Sequence, residues 1–460
     1  MNIVELNKNI PVKFNTDVLI IGGGPAGVCA AIASARNGAK TMLIEQNGYC
    51  GGMATAGMVA PFMTCYDKDG KTMIIRGIFE EIVNRLIKYG GAIHPSKIAA
   101  ASEFTSYIEK GHKHVTPFDF EVLKLVLDEM LTEAGVEILY HTAFVKSLVK
   151  NKQAYGAVIF SKSGMQAVKA KMVIDCSGDA DYAADANVPF QKGDGKGVMQ
   201  PATMFFRIGN VNSKLVNEDI HKNKDNFYRK DGVNYRSFHW HVSRAKQAGD
   251  WNLDRVSIGM FRGVKEDEWN INTSRIMDID GTDNKSISKA EIEGRKQVHH
   301  IFAFIKKYIP GCQNSVLLCS AHQIGIRETR HIKGLYTLNT DDILNGKVSE
   351  DAIALASNSI DVHGKYGPKS NEYLVIKARW YGLPYRCLIP ENIDNLLVAG
   401  RSISATSQAA GAIRVMPVCM AMGQAAGTAA AICIQKNIKL PNIDINKLRQ
   451  MLIKQNVFLG

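Results

Sequence analysis

The residues in this sequence best suited to chemistry are arginines. Arg327 stands beside Glu328 and Arg330, and a guanidinium fork matches a carboxylate bidentately. The triplet reads either as a grip on an anionic substrate or as an internal ion pair tying two parts of the chain together. Tyr385 and Arg386 lie where the middle of the chain returns to its closing segment, and Arg414 lies just before a long small-residue helix. Both positions suit a crevice between domains, where ligand sites form. His363, next to Gly364 and Lys365, is a loop histidine and a candidate acid or base. His239 and His241 share one face of a possible strand. With no third ligand at fitting spacing, a surface or core role is expected and no metal.

These side chains need an element to work against, and the stretch from Thr16 to Thr55 supplies it. An apolar run, Val18 to Ile21, stops at Gly22-Gly23-Gly24-Pro25-Ala26-Gly27, and an Ala-rich helical pattern continues to about Arg36. Strand, glycine turn and helix form the first half of a dinucleotide-binding βαβ unit. Gly22 permits the turn, Gly24 lets backbone amides approach a pyrophosphate, and Gly27 lets helix and strand pack closely. The phosphates would meet the unpaired N–H groups and positive dipole end of the helix. A second strand, 40–44, ends in Glu45, whose carboxylate can accept from both ribose hydroxyls, so a ribose without a 2′-phosphate is expected.

Further along, Asp67-Lys68-Asp69-Gly70 makes a turn, and an amphipathic helix over 78–89 is stopped by Gly90-Gly91. Helical spacing over 118–134 begins at Asp119, a natural N-cap, and ends at Gly135. A strand over 136–140 follows, then alternating runs over 143–149, 154–160 and 167–170, and a buried strand over 171–175 ending in Cys176-Ser177-Gly178-Asp179. Residues 191–386 hold all four Trp, together with polar loops and aromatic strands such as 202–208, and read as a separate substrate domain. The chain closes with a buried strand meeting Gly400-Arg401, then a helix starting near Ile413 with Pro417 in its first turn. Gly423 and Gly427 thin one face of that helix for close packing against the first.

At 460 residues the chain suits two interleaved domains, and 46% hydrophobic with 22% charged residues is ordinary globular composition. The first fifteen residues lack the apolar core of a signal peptide, and no window offers 18 uninterrupted apolar residues, so a cytoplasmic protein without a membrane span is expected. Nine scattered cysteines with no C-x-x-C read as reduced thiols. The net charge of +12 is dispersed among acidic residues, which argues for a solvated surface with some attraction for anionic substrates, and against a nucleic-acid stripe.

The glycine turn, the acid after the second strand and Gly51-Gly52-Met53-Ala54-Thr55 together resemble the extended fingerprint of glutathione reductase superfamily flavoproteins. VIDCSGDADYAADA, GIRETRHIKGLYTL, YGLPYRCLIP and the 396–431 segment are similar to bacterial FAD-dependent oxidoreductases related to fumarate reductase flavoproteins and geranylgeranyl reductases. The resemblance implies an α/β fold: a Rossmann-like FAD-binding domain from residues 1–190 and 387–460, with an inserted mixed β-sheet substrate domain at 191–386. It implies FAD, held by Gly22, Gly24, Pro25, Ala26, Gly27, Glu45, Gln46, Gly51, Gly52, Met53 and Thr55. A backbone group at Val145 would lie against the adenine, with Ser177, Gly178, Asp179, Gly400, Arg401 and Val415 around the flavin. Gly400-Arg401 stands where the superfamily often has a Gly-Asp contact to the ribityl chain, and Asp179 is the nearest substitute. Cys50 and Cys65 flank that environment. No second glycine fingerprint or redox cysteine pair is present in the sequence, so a dedicated NAD(P)H domain is not expected. The implied chemistry is hydride transfer between a small organic, anionic substrate and flavin N5, with Arg327, His363, Arg386 and Arg414 as candidate catalytic residues. A flavin-dependent tRNA-modifying enzyme and a non-enzymatic electron-transfer flavoprotein are the alternatives, and a homo-oligomer is compatible with either.

Overall fold

A computed structural model describes residues 9–231, 233–364 and 371–460. Its organising element is a mixed sheet. β1 (Val12–Ile21) runs into α1 (Pro25–Arg36) and returns as β2 (Thr41–Ile44). After α2 (Ile78–Lys88) and α3 (Phe120–Glu133), β3 (Glu137–Leu139) joins β2 in parallel. Asp119 caps α3 by accepting from the N–H groups of Glu121 and Val122. A meander of β4 (Ala143–Lys150), β5 (Gln153–Ser161) and β6 (Gly164–Asp175) follows. The runs over 167–170 and 171–175 are thus one continuous strand.

β6 does double duty. Its first half pairs antiparallel with β5, while its second half pairs parallel with a strand near the chain's end, Leu396–Val398. The order is β3-β2-β1-β6-β5-β4, with Leu396–Val398 added on β6. Register brings Leu139, Ile44, Ile21, Asp175 and Val398 into one row across the sheet. Five parallel strands therefore stop together, and the residues after them share one crevice, the usual place for a ligand in an open α/β sheet.

Apolar residues alternate between the two faces. Val18, Ile20, Leu43 and Ile174 point into the cluster that contains α1 and the closing helix, Met416–Lys436. Leu19, Ile21, Met42 and Val173 face Ala157, Ile159 and Tyr182 beneath the meander. Each such Ile or Leu contributes about 1.5–3 kcal/mol by leaving water. The closing helix is long and apolar enough to span a membrane by length and composition alone, but its apolar window is 89% buried within the protein. Its glycines explain the fit: a Cβ on Gly423 would lie 2.0 Å from the Ala26 carbonyl oxygen, and one on Gly427 would lie 2.1 Å from that of Ala30.

Between these parts the chain builds an antiparallel sheet of Met260–Arg262, Trp269–Ile271, Phe206–Gly209 and Val316–Ser320, backed by the helix Asn284–Tyr308. The aromatic strand read over 202–208 is regular only from Phe206. The segment holding His239 and His241 is a helix, His239–Gln247, and not a strand. There the two rings diverge: His239 Nε2 meets the Asn226 carbonyl oxygen at 2.8 Å, and His241 Nε2 meets Asp219 at 2.9 Å.

Candidate active site and cofactor groove

A groove of about 460 Å³ opens along the row of strand ends. Gly22, at φ +94°, makes the turn, and a Cβ there would meet the Cys176 carbonyl oxygen at 2.8 Å. On Gly27 a Cβ would sit 1.9 Å from the Gly22 carbonyl oxygen. Gly24 differs: it is the N-cap of α1, lines the groove, and its missing Cβ would point into open space. No acidic residue occupies the first turn of α1, so its positive end faces the groove uncompensated. Beside it, the Glu45 carboxylate accepts from Gly23 N at 2.7 Å, Asn47 N at 2.8 Å and Asn47 Nδ2 at 2.9 Å. Burial raises its pKa and these donors moderate the rise. A carboxylate has about four acceptor positions, which leaves room for a further donor such as a ribose hydroxyl. An open cradle at a helix N-terminus next to an acceptor carboxylate fits the adenosine diphosphate part of FAD.

Pro25, Ala26, Gln46, Gly52, Met53, Ser177, Gly178, Asp179, Gly400 and Arg401 also line the groove. Gly51 and Thr55 stand behind it: Gly51 N donates to the Gly23 carbonyl oxygen at 2.8 Å, and the Thr55 hydroxyl donates to that of Cys50 at 2.8 Å, bracing the loop. Val145 does not reach the groove. The β4/β5 register shifts between Phe144 and Lys146, and Val145 is left 40% exposed. Thr142, Ala143 and Phe144 line the wall in its place. Asp179 faces the groove already engaged, accepting from Arg401 Nη2 and from the Thr329 hydroxyl, each at 2.7 Å. Gly178, at φ +85°, sits under that guanidinium, and a Cβ there would lie 2.9 Å from Arg401 Cζ.

A second cavity of about 220 Å³ shares Met53, Arg401, Arg414 and Met416 with the groove. Arg327, His363, Asp361 and Val415 are in its wall. Arg414 follows a short helix, Ser407–Ile413, and precedes the closing helix, which therefore starts at Met416 and not near Ile413. The backbone break between the two helices turns Arg414 toward the cavity. Its Nη2 donates to the Asp361 carbonyl oxygen at 2.9 Å and lies 3.9 Å from Asp361 Oδ2. Asp361 Oδ2 is also 3.3 Å from His363 Nε2. Burial pushes the Asp361 pKa up, but His363, Arg414 and Arg327 together hold it well below the usual carboxylate range. Its side chain, 46% exposed, opens onto this cavity. Burial, reinforced by Arg327 and opposed by Asp361, takes His363 down to about 4, leaving it neutral at pH 7. Burial and the neighbouring Arg414 and Arg255 bring Arg327 down to about 9.

Arg386 is elsewhere. It sits in the turn Tyr385–Leu388, pairs through Nε with Asp351 Oδ2 at 2.9 Å, and lies over the Tyr336 ring. Its side chain is 49% exposed and lines neither cavity. The Arg327 triplet splits. Arg330 bonds the Asp179 carbonyl oxygen and Asp181, and buried Glu328 bonds Ser407, His331 and Gln200 N. Only Arg327 faces the cavity, its Nη1 donating to the Pro201 carbonyl oxygen. Cys50 and Cys65 are buried and line neither cavity, and burial raises both thiols. Among the wall residues that escaped the sequence reading are Asp361, Gln323, Met416 and Cys419. Of these, only Asp361, two residues from a candidate histidine, carried a signal.

A parallel sheet whose glycine turn and carboxylate face a groove, with a charged cavity at the groove's end, defines a nucleotide-binding α/β protein with an adjoining reactant pocket. The chain belongs to the FAD-dependent oxidoreductase family, whose model matches residues 17–452. It is an enzyme of that family, with FAD as cofactor. It is similar to thiamine thiazole synthase of Aeropyrum pernix, at 29% identity over 173 residues, 37% of this chain and 54% of that protein. It is also similar to digeranylgeranylglycerophospholipid reductase of Methanoculleus marisnigri, at 26% over 186 residues, 38% and 42% of the two chains. The chain spans about half the length of the curated relatives it matches. Among solved structures, a geranylgeranyl bacteriochlorophyll reductase-like protein from Thermoplasma acidophilum aligns over 97% of this chain and 84% of its own, at 14% identity and a TM-score of 0.44.

Proposed function

We propose that this enzyme transfers a hydride between a small organic anion and the flavin, with residues 1–190 and 387–460 holding FAD in the manner of the glutathione reductase superfamily and residues 191–386 closing over the substrate. Its compartment on this reading is the cytoplasm, in keeping with nine free thiols. The observation that carries the reading is the junction: groove and second cavity meet at Met53, Arg401, Arg414 and Met416. A pure electron carrier has no use for such a pocket. FAD, when bound, supplies a hydride acceptor or donor at N5. Arg414 and Arg327 fix the substrate's anionic group, and Met53, Val59, Phe205 and Phe261 exclude water from its carbon. His363, neutral at working pH, takes the proton of the hydroxyl or amine being oxidised at Nδ1, while its Nε2–H donates to Asp361, whose charge stabilises the imidazolium. In the reductive direction the same residue returns that proton.

Anaerobic mixing of the yellow enzyme with a panel of small hydroxy, amino and unsaturated acids tests the reading through loss of the flavin's visible absorbance. Saturable bleaching by one member is expected, slowed about 100-fold or more in Arg414→Met by loss of a charge-assisted contact and unchanged in Arg386→Met. Bleaching that shows no preference among the acids, or equal rates in both variants, would overturn it.

A further inference from the structure

The charges around the second cavity do not balance. Arg327, Arg401 and Arg414 line it, and the carboxylate in its wall is Asp361. Arg401 is neutralised by Asp179 from the groove side. Arg236 and Arg255 stand close enough behind the wall to feel the charge of Asp361. Arg255 donates through Nε to the Thr273 carbonyl oxygen at 2.9 Å, and Arg327 through Nη1 to that of Pro201. Among the described residues, neither these two nor Arg236 has a carboxylate within ion-pair distance. Among the described residues, Asp361 is the carboxylate in the wall and acts on Arg327, Arg414, Arg236 and Arg255, with Asp254 also acting on Arg255 and Glu328 on Arg414, and His363 and His112 lie beside it. Unpaired cations are kept inside a protein at considerable cost unless something anionic completes them.

The wall is also polar where it is dry. Arg414 Nε, a donor in the cavity wall, is buried without an acceptor, and an anionic group would supply one, while the unpartnered acceptors Asn272 Oδ1 and Asn358 Oδ1 call for a donor such as a substrate hydroxyl. At about 220 Å³ the space falls below the roughly 300 Å³ at which pockets for drug-sized ligands begin, so it takes a compound of a few carbons and not an isoprenoid chain.

We infer that the cavity is built for a small dianion, a short acid with a second carboxylate or a phosphate, one group meeting Arg414 and the other Arg327, with Asp361 as the internal carboxylate that holds these cations together when the substrate is absent. This rests on the reading of the cavity as the substrate site and specifies its charge. Asp361 then sets specificity. A monoanion leaves the pocket under-compensated, whereas a dianion satisfies both guanidinium groups while the aspartate stays with His363. Charge-assisted bonds are about twice as strong as neutral ones, so the second anionic group is worth about tenfold or more in affinity.

The FAD-loaded enzyme can be titrated calorimetrically and through the perturbation of its flavin spectrum with succinate, with the succinate monoamide, and with phosphoglycolate. Either dianion should bind at least tenfold more tightly than the monoamide, and the two should compete. Whichever binds better identifies the second group as carboxylate or phosphate. Arg327→Met should bring the better dianion down to the monoamide's affinity, and Asp361→Asn should strengthen the monoamide several-fold. Equal affinities for the monoamide and succinate, no binding of any of the three at millimolar concentration, or no effect of Asp361→Asn would overturn the inference. Flavin bleaching by some monoanionic substrate would in that case leave the hydride-transfer reading standing.

Discussion

Gly22, Gly24 and Gly27 look alike in sequence and serve different ends in the fold. A Cβ on Gly22 or Gly27 collides with backbone, whereas one on Gly24 enters empty groove. Gly24→Val is therefore expected to fold with a wild-type melting temperature and to emerge colourless, its side chain filling pyrophosphate space. Gly27→Val should fail to fold. The flavin-to-protein absorbance ratio beside a thermal melt separates the two. The nucleotide residues were legible because each answers a local need: a turn, a close approach, an acid at a strand end. The arginines were not, because a side chain's direction depends on a partner far away in sequence. Arg386 is drawn outward by Asp351, 35 residues earlier, and nothing within its own segment announces that. Arg414 turns into the cavity because the backbone breaks between two helices at that point.

Among the elements, the pairing of α1 with the closing helix is the most constrained. Replacing Gly427 by Ala gains about 1 kcal/mol of helix propensity, but the new Cβ would meet the Ala30 carbonyl oxygen at 2.1 Å. Forcing packed backbones apart costs about 3 kcal/mol or more, so the contact outweighs the propensity. Gly427→Ala should unfold at lower denaturant with an unchanged m-value, and should release FAD more readily. Periodicity and small-residue spacing revealed this pairing and the strands read over 18–21, 40–44 and 136–140. They failed for the segment around His239, where alternation suggested a strand and tertiary packing made a helix. The resemblance set a backbone group of Val145 against the adenine, but the register shift there leaves Thr142, Ala143 and Phe144 in the groove wall.

At the scale of the whole molecule, the buried cations and their aspartate give the protein a pH signature. Burial takes His363 from an ordinary value near 6.5 to about 4. In that window the unfolded chain binds a proton that the folded one refuses. Stability therefore rises with pH across the window and is lost as pH falls from about 6.5 toward 4. Asp181, raised by burial to about 6, acts in the opposite sense over the same window, so the checkable quantity is a difference: wild type should lose more melting temperature between about pH 6.5 and about pH 4 than His363→Gln does. In kcat/KM the acid limb should sit near pH 4 and not near 6.5, and His363→Gln should remove it. The overall architecture was readable because the glycine turn and the small-residue helix lie at opposite ends of the chain and demand each other. The charged cavity was not, because its wall draws on segments around residues 59, 112, 203, 261, 327, 361 and 414, whose meeting no local pattern encodes.

One consequence of the shared strand β6 concerns the ribosome. The sheet row through Ile21 is completed by Leu396–Val398, and α1 is covered chiefly by Met416–Lys436, with α2 and α3 at its flank. A nascent chain must therefore hold its nucleotide turn open, its first helix unshielded, through more than half of its synthesis. Contacts so distant along the chain form late and leave apolar surface exposed meanwhile. FAD capture then waits on residues 396–436, and newly made protein should depend on chaperones until the helix Met416–Lys436 docks.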